Sequence, residues 1–207
     1  MQHGKIVCIG QNYRAHAKEM DSVPPKEPML FLKPSSAIIG DGEVIEAGAV
    51  GRVDHEVELA LIIGRTARRV AEEDALSYIS HLSVFNDVTA RDLQSEARRA
   101  GNPWTLSKGM DTFAPMSRPV PTSRVRDVHD LDLELKVNGE VRQRGNTKDL
   151  IFGPERLVAY ISSFMTLEPG DIIATGTPEG VSPLNDRDRV EASIPGVGTV
   201  RNTFRRL

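Results

Sequence analysis

Short apolar runs separated by proline and glycine are the feature that most limits how this chain can fold. The 13 prolines and 17 glycines are spread along all 207 residues, and both residue types interrupt helices and mark turns. Many short strands with frequent turns are therefore expected, as in a strand-rich mixed fold of the α+β class. Runs with the composition typical of strands lie at residues 5–9, 29–32, 55–63, 82–87, 131–137 and 171–174.

Helical patterns are fewer and short. Residues 154–164 begin with a proline, which is common at the first position of a helix, and carry apolar side chains on one face. Asn138-Gly139 follows a strand-like run and predicts a tight hairpin turn. The three prolines within residues 20–28 predict a surface loop. We expect one domain over residues 1–207, with further helices at residues 14–20, 72–81 and 91–99.

Charge and cysteine content argue against several classes of protein. The chain has 26 basic and 29 acidic residues, a net charge of −3, and no basic stripe that would indicate a nucleic-acid partner. No window approaches 18 uninterrupted apolar residues, so no membrane span is expected. Cys8, the one cysteine, lies in an apolar run and is interpreted as a buried thiol in a reducing compartment. Without a signal-peptide pattern, the expected location is cytoplasmic.

Two acidic residues stand at the start of an apolar strand pattern. Side chains alternate between faces in a strand, so Glu56 and Glu58 point the same way, while Val57, Leu59 and Leu61 point into a core. Neighbouring carboxylates repel each other, and a hard divalent cation such as Mg²⁺ or Mn²⁺ offsets that repulsion. The alternative is a pair of glutamates on a solvated sheet face.

A third carboxylate, Asp87, ends the apolar run at residues 82–87. An acid at the end of a buried strand can complete a three-carboxylate metal site with Glu56 and Glu58, with coordination positions left for water and a chelating substrate. In the alternative interpretation, Asp87 caps the N-terminus of the helical segment that follows.

His16 and Glu19 are three residues apart in a helical pattern, which places them on one helix face. A carboxylate beside an imidazole raises the basicity of the ring and fixes its orientation, as a water-activating base requires. The alternative is an ordinary surface pair.

Two further features are compatible with binding of an anionic substrate. Lys108 could bind a carboxylate or stabilise an enolate. The alternative, which the residue taken alone favours, is an ordinary surface lysine. Gly176 and Thr177 follow the strand pattern at residues 171–174, where a backbone N–H and a hydroxyl could cradle an anion. The alternative is a plain turn.

In this order and at these separations, the segments of the chain resemble the fumarylacetoacetate hydrolase family. The resemblance runs from about residue 5 to residue 204. Any one segment is a weak signal, and together they are a strong one. The matching segments are Gly10-Gln11-Asn12-Tyr13 with His16 and Glu19, Phe31-Leu32-Lys33-Pro34, Asp54-His55-Glu56-Val57-Glu58-Leu59, Asn86-Asp87-Val88-Thr89-Ala90-Arg91-Asp92, Lys108-Gly109, Val137-Asn138-Gly139, and Gly170-Asp171-Ile172-Ile173-Ala174-Thr175-Gly176-Thr177-Pro178-Glu179-Gly180.

The resemblance implies a mixed β-sheet roll with a few short helices, assembled as a homodimer. It implies that Glu56, Glu58 and Asp87 bind Mg²⁺ or Mn²⁺, and that His16 and Glu19 activate water from a segment able to close over the site. The positions that match residues near the bound keto acid are Lys108, Arg91, Gln94, Gly176 and Thr177.

The function implied is hydrolysis of a carbon–carbon bond in an acylpyruvate-type 1,3-diketo acid. The chain is similar to the acylpyruvate hydrolase and oxaloacetate decarboxylase branch of the family. Oxaloacetate decarboxylase and 2-hydroxyhepta-2,4-diene-1,7-dioate isomerase activities are the alternatives, since these enzymes share one kind of metal site. A further alternative, of another class, is a non-catalytic binding module that a metal ion stabilises. The expected ligand of the enzyme is a small keto acid.

Overall fold

Two β-sheets, one of six strands and one of five, form the frame of the protein. The structure is a computed structural model that describes residues 4–207. The strand-rich α+β class expected from the sequence is confirmed. The strands are β1 (Ile6–Gly10), β2 (Met29–Lys33), β3 (Ile38–Ile39), β4 (Val44–Ala47), β5 (Val53–Asp54), β6 (Val57–Ile63), β7 (Ile79–Asn86), β8 (Thr89–Ala90), β9 (Ala114–Pro115), β10 (Val120–Pro121), β11 (Asp132–Val137), β12 (Glu140–Asn146), β13 (Ile172–Ala174), β14 (Arg189–Ile194) and β15 (Gly198–Arg206).

Short helices connect the strands at the edges of the sheets. The α-helices are α1 (Arg14–Glu19), α2 (Arg91–Ala100), α3 (Thr105–Lys108) and α4 (Pro154–Ser162). Segments of 3₁₀ helix occur at Ser35–Ala37, Glu72–Tyr78, Thr122–Arg124 and Thr147–Asp149. Within residues 4–207, no helix has the length and apolar character needed to cross a bilayer.

The six-stranded sheet has the order β10-β7-β6-β13-β1-β2. Strands β1 and β13 are parallel, and every other neighbouring pair in this sheet is antiparallel. The five-stranded sheet has the order β12-β11-β14-β15-β4, with β15 and β4 parallel. Two small sheets pair β3 with β9 and β5 with β8.

The hairpin predicted at Asn138-Gly139 is confirmed. It joins β11 to β12, and both turn residues have positive φ, 53° at Asn138 and 84° at Gly139. A two-residue turn with positive φ at both positions matches the right-handed twist of the strands, and asparagine followed by glycine adopts it most readily.

The main core lies between the two large sheets. Val57, Leu59 and Leu61 belong to one buried cluster with Leu135 of β11 and Phe204 of β15, and β6 contacts β11 and β14. The prediction that these three β6 side chains face a core is therefore confirmed. Burial of such side chains is the main driving force for packing one sheet on the other.

The opposite face of the six-stranded sheet is also buried. Ala60 and Ile62 of β6 form a second cluster with Cys8, Phe85 and Ile172. Every residue of β6 is consequently buried, and Cys8 is the buried thiol that the sequence predicted. The carboxylate of Glu58 lies on this second face, because residues 58, 60 and 62 alternate with the core-facing ones.

Two predicted elements are corrected by the structure. The helix expected at residues 72–81 is present in part, as a 3₁₀ helix over Glu72–Tyr78, and β7 begins at Ile79. Ile79 pairs with Ile63 of β6, so pairing in the sheet overrides the local helical pattern. The strand expected at residues 55–63 is shorter at its start, because β6 begins at Val57 and His55 and Glu56 lie between β5 and β6.

Strands β14 and β15 were missed in the sequence. Their signal is a period-two alternation, with Val190, Ala192 and Ile194 buried in turn along β14. The intervening arginine, glutamate and serine give this strand a solvated face, as is common in antiparallel sheets.

The side chain of Asn12 fastens three parts of the chain that surround the end of β1. Its Nδ2 donates to the carbonyls of Thr175 (2.8 Å) and Phe152 (3.0 Å), and its Oδ1 accepts from the backbone N–H of Phe152 (2.8 Å). Asn12 is fully buried, so these bonds replace all contact of the amide with water.

We predict that Asn12→Ala lowers the free energy of unfolding by about 2–4 kcal/mol, because buried backbone groups lose their partners. Urea denaturation measures the change. Asn185→Ala is the matched control, since Asn185 is exposed and an exposed substitution of this kind costs less than about 0.5 kcal/mol. Equal effects of the two substitutions would contradict the fastening role of Asn12.

Candidate active site

Three carboxylates meet at one end of the six-stranded sheet. Strand β6 begins there and β7 ends there, because the two strands are antiparallel with Val57 opposite Asn86. Glu56 and Glu58 consequently lie beside Asp87, whose backbone nitrogen is 2.8 Å from the Glu56 carbonyl oxygen. The parallel strands β1 and β13 end at the same edge.

The three side chains form a compact buried group. One oxygen from each of Glu56, Glu58 and Asp87 lies within 4.8 Å of the others. The residues are 5%, 2% and 0% exposed, respectively. This burial contradicts the alternative of a solvated sheet face, and the sequence correctly grouped the three residues.

Two cations contact this group from α2 and α3. Lys108 Nζ lies 2.9 Å from Glu56 Oε2 and 2.6 Å from Asp87 Oδ2. Arg91 Nη2 donates to Glu56 Oε1. Lys108 is 2% exposed, which contradicts the surface-lysine alternative.

The environment separates the two glutamates in acidity. Burial alone raises the pKa of Glu56, but the adjacent Lys108 and Arg91 lower it well below its usual value. Burial and then the charges of Asp87 and Glu56 raise the pKa of Glu58 well above its usual value. Within the three-carboxylate group, Glu58 is therefore the residue with the least positive charge close to it.

Arg91 is held in place by a buried aspartate that the sequence had indicated only as part of a motif. Arg91 Nε donates to Asp54 Oδ2 at 2.7 Å, and Nη1 donates to the side-chain oxygen of Gln94. Asp54 also accepts from Arg52, with 2.7 Å between Nε and Oδ1. Ion pairing with Glu56 and Asp54 outweighs burial and raises the pKa of Arg91.

Lys33 is a second site residue whose role sequence reasoning missed. Its Nζ donates to three carbonyls, those of Val88 (3.0 Å), Phe113 (2.7 Å) and Lys108. It also lies 2.8 Å from Asp87 Oδ1. Because the three ammonium hydrogens are directed at carbonyls, Asp87 Oδ1 accepts no hydrogen bond from the described residues. The signal available in the sequence was the position of Lys33, a charged residue directly after the apolar residues of β2.

The donor set fits a hard divalent cation. Three carboxylates supply only oxygen atoms, which Mg²⁺ and Mn²⁺ prefer. Asp87 Oδ1 is buried without a hydrogen-bond donor, and burial together with the negative charges of Asp87 and Glu56 raises the pKa of Glu58. The group could therefore bind a metal ion through Glu56, Glu58 and Asp87.

His16 and Glu19 of α1 form the pair that the sequence suggested. His16 Nδ1 lies 3.1 Å from Glu19 Oε2. His16 is only 6% exposed and Glu19 is exposed, so only the glutamate of the pair is at the surface. An ionised carboxylate only accepts hydrogen bonds, so Nδ1 carries the hydrogen and a neutral ring has its lone pair on Nε2. Glu19 Oε1 accepts from the backbone N–H of Gly180 at 3.0 Å.

Gly176 and Thr177 lie beside the group, but their donors already have partners. Gly176 N–H donates to Glu58 Oε2 at 2.8 Å, so it orients a carboxylate and does not present a free anion cradle. Thr177 Oγ1 donates to the Val57 carbonyl and accepts from Gln143 Nε2, both at 2.8 Å. Gly176 has a φ of +102°, which favours glycine.

A cleft opens above the carboxylates and encloses about 550 Å³ of space between atoms, part of it open to solvent. Its wall includes His16 and Met20 at α1, and Phe31 with Trp104 on the other side. All the predicted site residues except Glu19 and Gly176 line this cleft. These are Glu56, Glu58, Asp87, His16, Lys108, Arg91, Gln94 and Thr177.

The family can be decided from comparison with known proteins. The family model described as "Fumarylacetoacetate (FAA) hydrolase C-terminal" matches residues 5–205. The chain belongs to the fumarylacetoacetate hydrolase family. A relative in Arabidopsis thaliana named "Oxaloacetate tautomerase FAHD1, mitochondrial" is 51% identical over 201 residues, which are 97% of this chain and 90% of the relative.

Solved structures of fumarylacetoacetate hydrolase family members have the same fold. Fumarylpyruvate hydrolase from Pseudomonas aeruginosa, in complex with Mn²⁺ and pyruvate, superimposes with a TM-score of 0.93 at 33% identity, covering 99% of this chain and 91% of that one. The 2-hydroxyhepta-2,4-diene-1,7-dioate isomerase from Mycobacterium marinum gives 0.87 at 39% identity, covering 99% and 75%. Family members of this fold therefore include both a hydrolase and an isomerase.

We predict that Lys33→Met lowers the free energy of unfolding by about 3–5 kcal/mol, because it leaves three carbonyls and Asp87 without their buried cation. The measurement is denaturant unfolding. Lys136→Met is the matched control, since the Lys136 ion pair with Glu134 is partly exposed and such pairs contribute about 1 kcal/mol or less. A Lys33→Met protein as stable as the control would show that the ammonium is not needed.

Proposed function

We propose that the protein is a metal-dependent hydrolase that cleaves a carbon–carbon bond in acylpyruvate-type 1,3-diketo acids. The observation that carries the proposal is a buried histidine, His16, that is bonded to Glu19 and lines the same cleft as three convergent carboxylates. A hydrolase needs a base for water as well as a binding site for the keto acid, and this cleft contains candidates for both.

Glu56, Glu58 and Asp87 would hold Mg²⁺ or Mn²⁺. When bound, such an ion supplies positive charge that polarises the oxygens of a 2-keto acid. A related fumarylpyruvate hydrolase has been solved with Mn²⁺ and pyruvate, which supports both the choice of ion and the class of ligand.

The side chains at the cleft have separate roles in the proposed reaction. Glu19 orients His16, whose Nε2 takes a proton from water, and the resulting hydroxide attacks the distal carbonyl carbon. The electrons of the broken carbon–carbon bond pass to the pyruvate fragment as its enolate. Lys108 supplies positive charge at the cleft floor as negative charge develops. Arg91 and Gln94 bind the keto acid from α2.

Keto–enol interconversion of oxaloacetate is the second candidate. It is supported by 51% identity to the Arabidopsis protein named as an oxaloacetate tautomerase. This reaction moves a proton between carbon and oxygen and consumes no water. If the loss of enol absorbance is accelerated while no acylpyruvate yields pyruvate, tautomerisation replaces hydrolysis as the function.

Oxaloacetate decarboxylation and isomerisation of an unsaturated keto diacid use the same site, and an isomerase relative supports the latter. A metal-stabilised binding module would show a thermal shift with Mn²⁺ but would release no pyruvate from any substrate. Assembly as a homodimer and a cytoplasmic location stay predictions.

We predict that Glu58→Gln weakens Mn²⁺ binding at least about tenfold, because cation affinity depends on the number of charged oxygen ligands. Isothermal titration calorimetry on the purified protein measures the affinity. Glu191→Gln is the control, since Glu191 lies on β14 in the other sheet and pairs with Arg201. Unchanged Mn²⁺ affinity in Glu58→Gln would remove the proposed ligand set.

We predict that His16→Ala lowers acetylpyruvate hydrolysis by about 10²–10⁴-fold, the usual contribution of a general base. Oxaloacetate decarboxylation, which needs no activated water, should be retained. A pyruvate-release assay measures both reactions, and His129→Ala, at a surface histidine bonded to Asp127 and Glu155, is the control. Equal loss of both activities with unchanged Mn²⁺ affinity would contradict the role of His16.

A further inference from the structure

Side chains complete the edge of β6 at the point where its neighbour β13 ends. The last pair between the two strands joins Ala60 to Ala174, so within residues 4–207 no strand lies beside the backbone of Val57 on this edge. Buried backbone groups need hydrogen-bond partners, and side chains supply them where a ladder stops. The partners of Val57 come from Thr177 and Gln143.

Three hydrogen bonds among these residues form a closed ring. The Val57 N–H donates to Gln143 Oε1 at 3.1 Å, and Gln143 Nε2 donates to Thr177 Oγ1 at 2.8 Å. The Thr177 hydroxyl donates in turn to the Val57 carbonyl at 2.8 Å. Each member both donates and accepts, so the loss of either side chain leaves a backbone group of Val57 without its partner.

Backbone groups fix the orientation of the Gln143 amide. The Val57 N–H can only donate, and the Pro178 carbonyl, 2.9 Å from Nε2, can only accept. Oε1 is therefore the atom that lies 2.8 Å from His55 Nδ1, and this nitrogen carries the hydrogen. With two bonds at Oε1 and two at Nε2, the amide uses its full hydrogen-bonding capacity.

The ring lies directly behind two of the three carboxylates. Val57 separates Glu56 from Glu58, so holding its backbone fixes the points from which both side chains leave the strand. Thr177 follows Gly176, whose N–H donates to Glu58 Oε2 at 2.8 Å. The ring thus holds both the strand that supplies two carboxylates and the segment that orients one of them.

Glycines allow β12, the strand of Gln143, to lie close to the loop after β13. A Cβ atom at Gly145 would clash with the Pro178 ring, and one at Gly180 would clash with the Arg142 carbonyl. The absence of side chains at both positions permits the close approach. The amide of Gln143 is consequently able to reach the loop and the start of β6 together.

Gln143 itself is remote from any substrate. It belongs to the five-stranded sheet through β12 and is 1% exposed. The described residues that line the cleft do not include it. Its amide can therefore influence the chemistry of the site only through the residues that it holds in place.

We propose that Gln143 is a positioning residue for the metal site, which holds Glu56 and Glu58 in the arrangement that binds a divalent cation. The proposal rests on the proposed function in one respect, that these glutamates are metal ligands. Residues that orient the ligands of a metal contribute strongly to its affinity, and their loss typically weakens binding by about 10–100-fold. The five-stranded sheet then takes part in the site through one amide.

Replacing Gln143 by methionine tests this role, since methionine has a similar length but neither an N–H nor a carbonyl group. Gln143→Met should weaken Mn²⁺ binding to the metal-free protein by about 10–100-fold, as measured by calorimetry. Asn202→Leu is the matched control, because it removes a buried amide from β15 of the same sheet, where Nδ2 donates to the carbonyls of Gly40 and Glu43. The control should lower the unfolding temperature to a similar extent and leave the Mn²⁺ affinity unchanged.

Thr177→Val opens the same ring at another member, and valine keeps the shape of threonine. If the ring acts as a unit, the double variant should bind Mn²⁺ within about twofold of the weaker single variant, because coupled residues are not additive. Additive losses would overturn the proposal. Should Gln143→Met not fold, Thr177→Val alone decides, and unchanged Mn²⁺ affinity in that variant would overturn the proposal as well.

Unchanged Mn²⁺ affinity in Gln143→Met would overturn the positioning role, and so would an equal loss in Asn202→Leu, since affinity would then follow stability alone. A wild type that binds no Mn²⁺ has the same consequence. If Mn²⁺ affinity depends on Gln143 but no acylpyruvate yields pyruvate, the proposed hydrolysis fails while the role of Gln143 stands. If acylpyruvates are hydrolysed while Gln143→Met binds Mn²⁺ as the wild type does, the reverse holds.

Discussion

The structure depends on the balance of charge around three buried carboxylates. Two unit charges 4 Å apart interact by about 4 kcal/mol at an effective dielectric constant of 20, so Glu56, Glu58 and Asp87 could not share a buried site without cations. Lys108 contacts Glu56 and Asp87, and Lys33 lies beside Asp87. Burial of the three carboxylates therefore requires basic side chains around them.

The cations come from elements that are distant in sequence. Lys33 ends β2, Arg91 begins α2 and Lys108 ends α3, so neutralising the carboxylates also fixes these elements around the cleft. The interactions that allow the acidic group to be buried thereby build the wall of the binding site. The position of α2 also places Gln94 at the cleft.

Much of the site could be predicted from sequence, because its chemistry was carried by local patterns. Alternation placed Glu56 and Glu58 on one face, and strand ends brought Asp87 beside them. The roles of Asp54 and Lys33 could not be read in this way, since each depends on partners more than 30 residues away. The helix expected at residues 72–81 ends at Tyr78, because the pairing of Ile79 with Ile63 of β6 is not encoded within the segment itself.

The carboxylate of Glu19 makes two hydrogen bonds that have different structural effects. Its Oε2 meets the imidazole of His16, and its Oε1 meets the backbone of Gly180 in the segment that follows β13. The orientation of the base is thus mechanically linked to the docking of α1. Glu19 therefore connects the segment after β13 to His16, and the position of the base depends on a backbone N–H more than 150 residues further along the chain.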